Sequence, residues 1–117
     1  MRLGFVTYAG APDLTEDDRL AVAPLRTFGI AVDPLVWDDP KIEWGRYTAL
    51  ILRSTWDYHK KPTAFVAWLR RVESAGVPLW NPPGLIRWNM DKTYLRELAA
   101  KGVPITPTEW IEAGSKA

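Results

Sequence analysis

The chain has 117 residues, fifteen Lys and Arg against fourteen Asp and Glu, a formal net charge of +1 and 47% hydrophobic residues. That length and composition specify one small globular domain with its own core, argue against disorder, and give no electrostatic reason to expect nucleic acid or an anionic membrane. With no cysteine and a single histidine, His59, the sequence excludes disulfides, thiolate chemistry and a His-cluster metal site, and argues against a Ser-His-Asp triad.

Residues 3–8 read as a central strand that ends in the turn residues Gly10, Ala11 and Pro12. Their apolar part is too short for a signal peptide, and no run approaches twenty apolar residues, so the expectation is a cytoplasmic protein with no membrane partner. Thr15 followed three residues later by Asp18 is an N-terminal helix signal, with Glu16 and Asp17 where the helix dipole favours anions. Leu20, Ala21, Ala23, Pro24, Leu25 and Phe28 then form a broad apolar stripe, which Pro24 should kink or shorten and Gly29 should end.

Residues 30–37 read as a second strand, placed at an edge by Pro34. Residues 38–40 are a turn, and 41–47 a loop or one helical turn. Residues 48–52 form a third strand, buried on both faces by its continuous apolarity, and lead into a polar and aromatic loop at 53–59. Pro62 suits the first turn of a helix whose inner face is Phe65, Val66, Leu69 and Val72 and whose outer face is Arg70, Arg71 and Glu73; Gly76 stops it. Residues 77–80 are a fourth strand, 81–84 a strong turn, and 85–89 a single helical turn. Asp91 can cap a helix through Thr93, Leu95, Leu98 and Ala99 that closes at Gly102, and 108–111 are a candidate last strand.

Strands alternating with helices specify an α/β fold: an open, three-layer, mostly parallel sheet of four to five strands with helices on both faces, Rossmann-like, with right-handed crossovers. Residues 1–111 make this domain, with 103–111 as a connector and 112–117 as a tail. In such sheets ligands sit beyond the carboxyl ends of the strands, which here means the loops at 8–12, 53–59 and 81–84.

The first of these loops lacks the glycine spacing of a dinucleotide site and the lysine of a phosphate loop, and the helix after it begins with acidic residues; it reads as a turn. The 53–59 loop is richer. The Arg53 fork can hold a carboxylate, Trp56 and Tyr58 offer rigid walls with polar tips, Asp57 can take an amino group, and Ser54 lies among them. Together they suit a small zwitterion or peptide-like molecule. The same residues read equally well as a surface loop in which Arg53 pairs with Asp57 and Trp56 packs on the core. His59 reads as an exposed residue near a helix start. Trp37, Trp44, Trp68, Trp80, Trp88 and Trp110 fall in different elements without a basic groove, so they read as core and interface residues, and the helical spacing of Trp68 with Phe65 and Val72 favours core. Lys92 stands at the first turn of a helix, against the dipole; it either points to solvent, which the residues alone favour, or meets an anion.

The pattern from Asn81 to Thr108, N-P-x-x-x-I-R-W-N-M-D-K-x-Y-L-x-x-L-x-x-x-G-V-P-x-x-P-T, resembles the segment joining the first and central domains of ATP-grasp ligases. The R-S-T-W-D-Y-H stretch that begins at Arg53 is most similar to the RimK-like and glutathione-synthetase-like branch, which includes O-ureido-serine cyclo-ligase. The resemblance implies a pre-ATP-grasp domain that supplies part of the acceptor site of an ATP-dependent carboxylate–amine ligase. It implies that Lys92 reaches toward ATP phosphate and that Arg53, Ser54, Trp56, Asp57 and Tyr58 line the substrate side, for a small carboxylate or amino-acid-like substrate. ATP and Mg²⁺ would be bound in the full-length enzyme and not tightly by this chain. The magnesium ligands and later lysines of the family have no counterpart here, so the chain is expected to be silent alone. Its partners would be the missing C-terminal ATP-grasp domains, with an exposed docking patch at Trp88, Tyr94 and Trp110 through which an isolated domain is expected to homodimerise. The alternative is a free-standing small α/β binding or interaction module without catalysis. A receiver-like or flavodoxin-like domain is weaker, since the first loop offers neither an acidic cluster nor a phosphate-binding Ser/Thr run.

Overall fold

The computed structural model describes residues 1–115; the last two residues of the expected tail, 116 and 117, lie outside them. Four strands, β1 (Arg2–Thr7), β2 (Ala31–Val36), β3 (Ala49–Ser54) and β4 (Leu79–Trp80), form a parallel sheet in the order β2-β1-β3-β4. β1 is interior and buried along residues 3–7, as its apolar run requires. β2 is an edge strand, where the missing N–H of Pro34 costs no ladder bond to a further strand. β3 is interior as well, but only partly buried at Ile51 and Leu52 rather than sealed on both faces.

The main core lies on one face. Val6, Leu35, Trp37 and Leu50 meet Phe65, Trp68, Leu69 and Val72 of α3 (Pro62–Ser74). Val66, expected on this inner face, is only half-buried, and Trp68 takes that role. Pro62 occupies the first turn of α3, and Gly76 beyond its end takes a φ of +68°, a backbone conformation that favours glycine. Aromatic edges fill the middle: the rings of Trp37 and Phe65 are 5.2 Å apart and those of Trp44 and Trp68 5.7 Å, both edge-to-face.

The opposite face is covered more thinly. The helix expected to start at the Thr15 cap and run through the stripe to Phe28, kinked or shortened by Pro24, is broken into two short ones, α1 (Glu16–Arg19) and α2 (Val22–Thr27). Pro24 has no N–H, and its ring conflicts with the carbonyl four residues back, at Leu20, which is where the helix breaks. The apolar stripe is not buried: Leu20 and Phe28 are 74% and 80% exposed, and α2 buries no residue.

The C-terminal third departs further. The helical turn expected at 85–89 is a full helix, α4 (Pro83–Met90), which sends Ile86 into the core. α5 (Tyr94–Ala100) buries no residue at all, and residues 108–111 form no strand, so the sheet of the described residues has four strands, the lower of the expected four to five. The radius of gyration is 16.6 Å, against about 13 Å for a compact chain of this length. Among the described residues no helix is long and apolar enough to cross a membrane.

Candidate functional site

The site begins with an irregularity at the carboxyl end of β3. β1 and β3 run in register to the pair Val6–Leu52, and the next pair is Thr7–Ser54, so Arg53 is an extra residue. In a regular strand Arg53 and Ser54 would point to opposite faces. A bulge changes that, and both side chains reach the same carboxylate, Asp18 of α1. Arg53 Nε donates to Oδ1 at 2.7 Å, Nη2 makes an ion pair with the same oxygen at 2.7 Å, and Ser54 Oγ donates to Oδ2 at 2.6 Å. Asp18 is 3% exposed, and its own N–H donates to Thr15 Oγ1 at 3.3 Å. Burial pushes the Asp18 carboxyl up, but the Ser54 and Arg53 hydrogen bonds and the Arg53 charge outweigh it and hold it below the usual carboxylate range. Arg53 therefore pairs with Asp18 and not with Asp57. Sequence reasoning read Asp18 only as part of a helix start; the signal it had was three consecutive acidic residues, more than a helix end needs.

Asp57 is used differently. It accepts a hydrogen bond from Nε1 of the fully buried Trp37 at 2.8 Å and an ion pair from Lys61 at 3.5 Å. Lys61 also meets Asp38 at 2.7 Å and lies over the Trp37 ring. These bonds fasten the loop after β3 to the core. They leave Trp56 60% exposed, its ring 5.7 Å from that of Tyr8 at the end of β1. The Tyr8 ring lies over Gly10, where a Cβ would collide with it.

Beyond the carboxyl ends of β3 and β4 the structure opens a cleft of about 280 Å³. Leu52, Phe65, Ile86 and Met90 are among its apolar walls. Its polar groups are Thr55, Tyr58, Asn81 and Asn89, and among the described residues no charged side chain lines it. A more open groove shares Tyr58 and Met90 with this cleft and adds His59, Asp91 and Lys92. Asp91 Oδ1 accepts the Thr93 N–H at 2.9 Å, which holds its carboxyl below the usual range and shapes the turn on which Lys92 stands. Lys92 Nζ sits 5.4 Å from the centre of the Tyr94 ring.

Of the predicted site residues, Tyr58 and Lys92 thus line one groove, and Trp56 stands with Tyr8 at the strand ends. Arg53 and Ser54 are drawn to Asp18, and Asp57 to Trp37. Thr55, Asn81 and Asn89 were missed; they are short neutral side chains inside the two quoted patterns, and only their place in those patterns and in the strand-end loops could have pointed to them. Trp88 and Trp110, expected in a docking patch, are each 37% exposed, and Tyr94 packs its ring 5.0 Å from that of Trp88. Among the described residues no group of three His, Cys, Asp or Glu is placed to hold a metal ion.

Comparison with known proteins adds three likenesses. A family model described as the N-terminal domain of D-cycloserine synthetase DcsG matches residues 3–81, which take in all four strands but for Arg2 of β1. Cycloserine biosynthesis protein DcsG of Streptomyces lavendulae is 36% identical over 115 residues, covering 98% of this chain and 38% of that protein. The crystal structure of D-cycloserine synthetase DcsG is similar with a TM-score of 0.81 and 34% identity, covering 92% of this chain and 36% of that one. The chain spans less than two fifths of the length of these relatives.

Proposed function

Since this chain belongs to the family of the N-terminal domain of D-cycloserine synthetase, we propose that it is the substrate-side domain of an ATP-dependent carboxylate–amine ligase. In that chemistry ATP phosphorylates a carboxylate, and an amine attacks the resulting acyl phosphate and expels phosphate. The share of this chain is binding and orientation of a small carboxylate or amino-acid-like substrate.

The observation that carries the reading is the cleft at the carboxyl ends of β3 and β4, with neutral polar groups at Thr55, Tyr58, Asn81 and Asn89, and the groove that shares Tyr58 and Met90 with it and carries the cation Lys92. Neutral groups and apolar walls suit the uncharged part of a small molecule, and Lys92 suits an anion that arrives from outside, the ATP phosphate. Trp56 and Tyr8 supply a wall at the strand ends. In this reading magnesium is held mainly by the further domains together with the ATP phosphates, and the chain by itself is silent. Its surface fits a partner: it exposes 7988 Å², against about 6,500 Å² for a compact chain of its mass. Trp88, Trp110 and α5 contribute to that excess and would be covered by further ATP-grasp domains. A cytoplasmic location goes with this reading.

The test is release of ADP from MgATP by the complete gene product, presented with a panel of amino acids and small carboxylates. The reading expects ADP release that depends on one of them, and none from residues 1–117 alone. Carboxylate-independent ADP release, or none with any panel member, overturns it. Lys92→Ala should raise KM for ATP about tenfold, the loss of one charge-assisted contact.

A further inference from the structure

We propose that Asp18 is a positioning residue, which aims the Arg53 guanidinium at a substrate carboxylate taken at the carboxyl ends of β1 and β3. The identity of the bound molecule as substrate rests on the ligase reading above; the arrangement of Asp18 and Arg53 does not.

The location follows from the sheet. From β1 the chain crosses to β2 on one side, and from β3 it crosses to β4 on the other, so the connections diverge between β1 and β3. In open parallel sheets that divergence leaves a crevice where ligands bind. The β3 bulge lies at this point, and bulges are over-represented where a side chain must be re-aimed.

The bonding pattern is that of an oriented cation. Fastening α1 to the sheet would need only Ser54, which already donates to Asp18 from a buried position. Arg53 is added to the same carboxylate and yet its side chain stays 47% exposed. Asp18 holds it by the Nε hydrogen bond and the Nη2 ion pair to one oxygen, which turns the Nη1 side away from Asp18. A planar fork held along one side presents its other side in a defined direction, the geometry that two-point carboxylate recognition uses. The exposed Trp56 follows three residues later and leans on Tyr8, giving the crevice an apolar wall.

The ligand class follows from charge. Asp18 neutralises Arg53, so the pair offers directed hydrogen bonds and little net attraction. Exposed Glu16 and Asp17 open the adjacent α1 and repel a phosphate. A single carboxylate on a small molecule fits; a polyphosphate does not.

The test uses the complete gene product, with KM and kcat for the carboxylate substrate read from ADP release and thermal melting recorded for each variant. Asp18→Asn is expected to raise KM about tenfold or more and to leave kcat within about threefold, the pattern of lost ground-state binding. The double variant Asp18→Asn/Arg53→Ala should be no worse than Arg53→Ala, because Asp18 acts through Arg53. Thr15→Ala loosens the start of α1 without touching Arg53 and should lower the melting temperature without raising KM. If Asp18→Asn does not fold, Arg53→Lys keeps the charge but not the two-nitrogen grip, and must raise KM similarly. An unchanged KM in these variants, additive effects in the double variant, or a KM rise in Thr15→Ala that follows its loss of melting temperature overturns the proposal. If the wild type releases no ADP, the ligase reading has failed and the Asp18 proposal is read from calorimetric binding of D-serine against D-serinamide, which differ at the carboxylate. A preference for D-serine that Asp18→Asn abolishes then supports it, and equal affinities or no binding overturn it.

Discussion

Asp18 and Ser54, 36 positions apart in the chain, are joined by a buried 2.6 Å hydrogen bond that ties the four-residue helix α1 to the end of an interior strand. The same carboxylate carries Arg53, so one side chain fixes the start of α1, the bulge of β3 and the orientation of a guanidinium. Its stability and its pH dependence are both open to measurement.

Replacing Asp18 by Ala should lower the unfolding free energy by about 3 kcal/mol, because it strands a buried hydroxyl and an arginine that shared one charge. Urea denaturation at pH 7 checks this. The folded pKa of Asp18 lies below its ordinary value, so its stabilisation is complete above the unfolded pKa near 4 and is lost as pH falls through the folded value. The wild-type melting temperature should therefore fall more steeply than that of Asp18→Ala as the pH drops below about 4.

Asp57 should behave as a fastening of the loop. Asp57→Ala leaves the indole N–H of Trp37, itself fully buried, without its acceptor, at a cost of about 1–3 kcal/mol. Asp57→Asn keeps an acceptor oxygen and should cost less than half as much. Equal losses in the two would mean that the ion pair with Lys61, and not the Trp37 bond, carries the effect.

Two buried tryptophans should respond differently to the same substitution. Trp37 donates to Asp57, whereas Trp68 Nε1 has no hydrogen-bond partner among the described residues. Trp68→Phe removes an unsatisfied donor along with some packing, and Trp37→Phe removes a satisfied one. Trp37→Phe should be the more destabilising by about 1 kcal/mol in chemical denaturation.

Asn89 lines the cleft and is exposed, so its role should be in binding and not in folding. Asn89→Leu should change stability by no more than about 0.5 kcal/mol. It should raise KM for the carboxylate substrate roughly tenfold, the loss of one buried polar contact. A wild-type KM would remove Asn89 from the site.

Much of the fold was legible along the chain. The apolar runs of β1 and β3, the edge position of β2 at Pro34, and the inner face of α3 at Phe65, Leu69 and Val72 each follow from a local pattern. The exposed stripe of α2 was not legible, because periodicity says which residues share a face but not whether anything arrives to cover it. The same gap explains α5, whose Leu95 and Leu98 keep helical spacing while the helix buries no residue.

The candidate site divides the same way. The 53–59 and 81–84 loops could be placed at strand ends from sequence, since strand direction and crossover rules are fixed by the order of elements. The role of each side chain in them could not.

By itself, then, the sequence determined the element order, the parallel sheet and the segments that reach its carboxyl edge, because hydrophobic period, proline and glycine act within a few residues. Only the tertiary structure decided that Arg53 answers to Asp18, that Asp57 answers to Trp37, and that Tyr58 shares a hollow with Lys92. The physical reason is register: strand side chains alternate with a period of two, so one extra residue at Arg53 changes which neighbours it and Ser54 meet, and register is set by non-local packing.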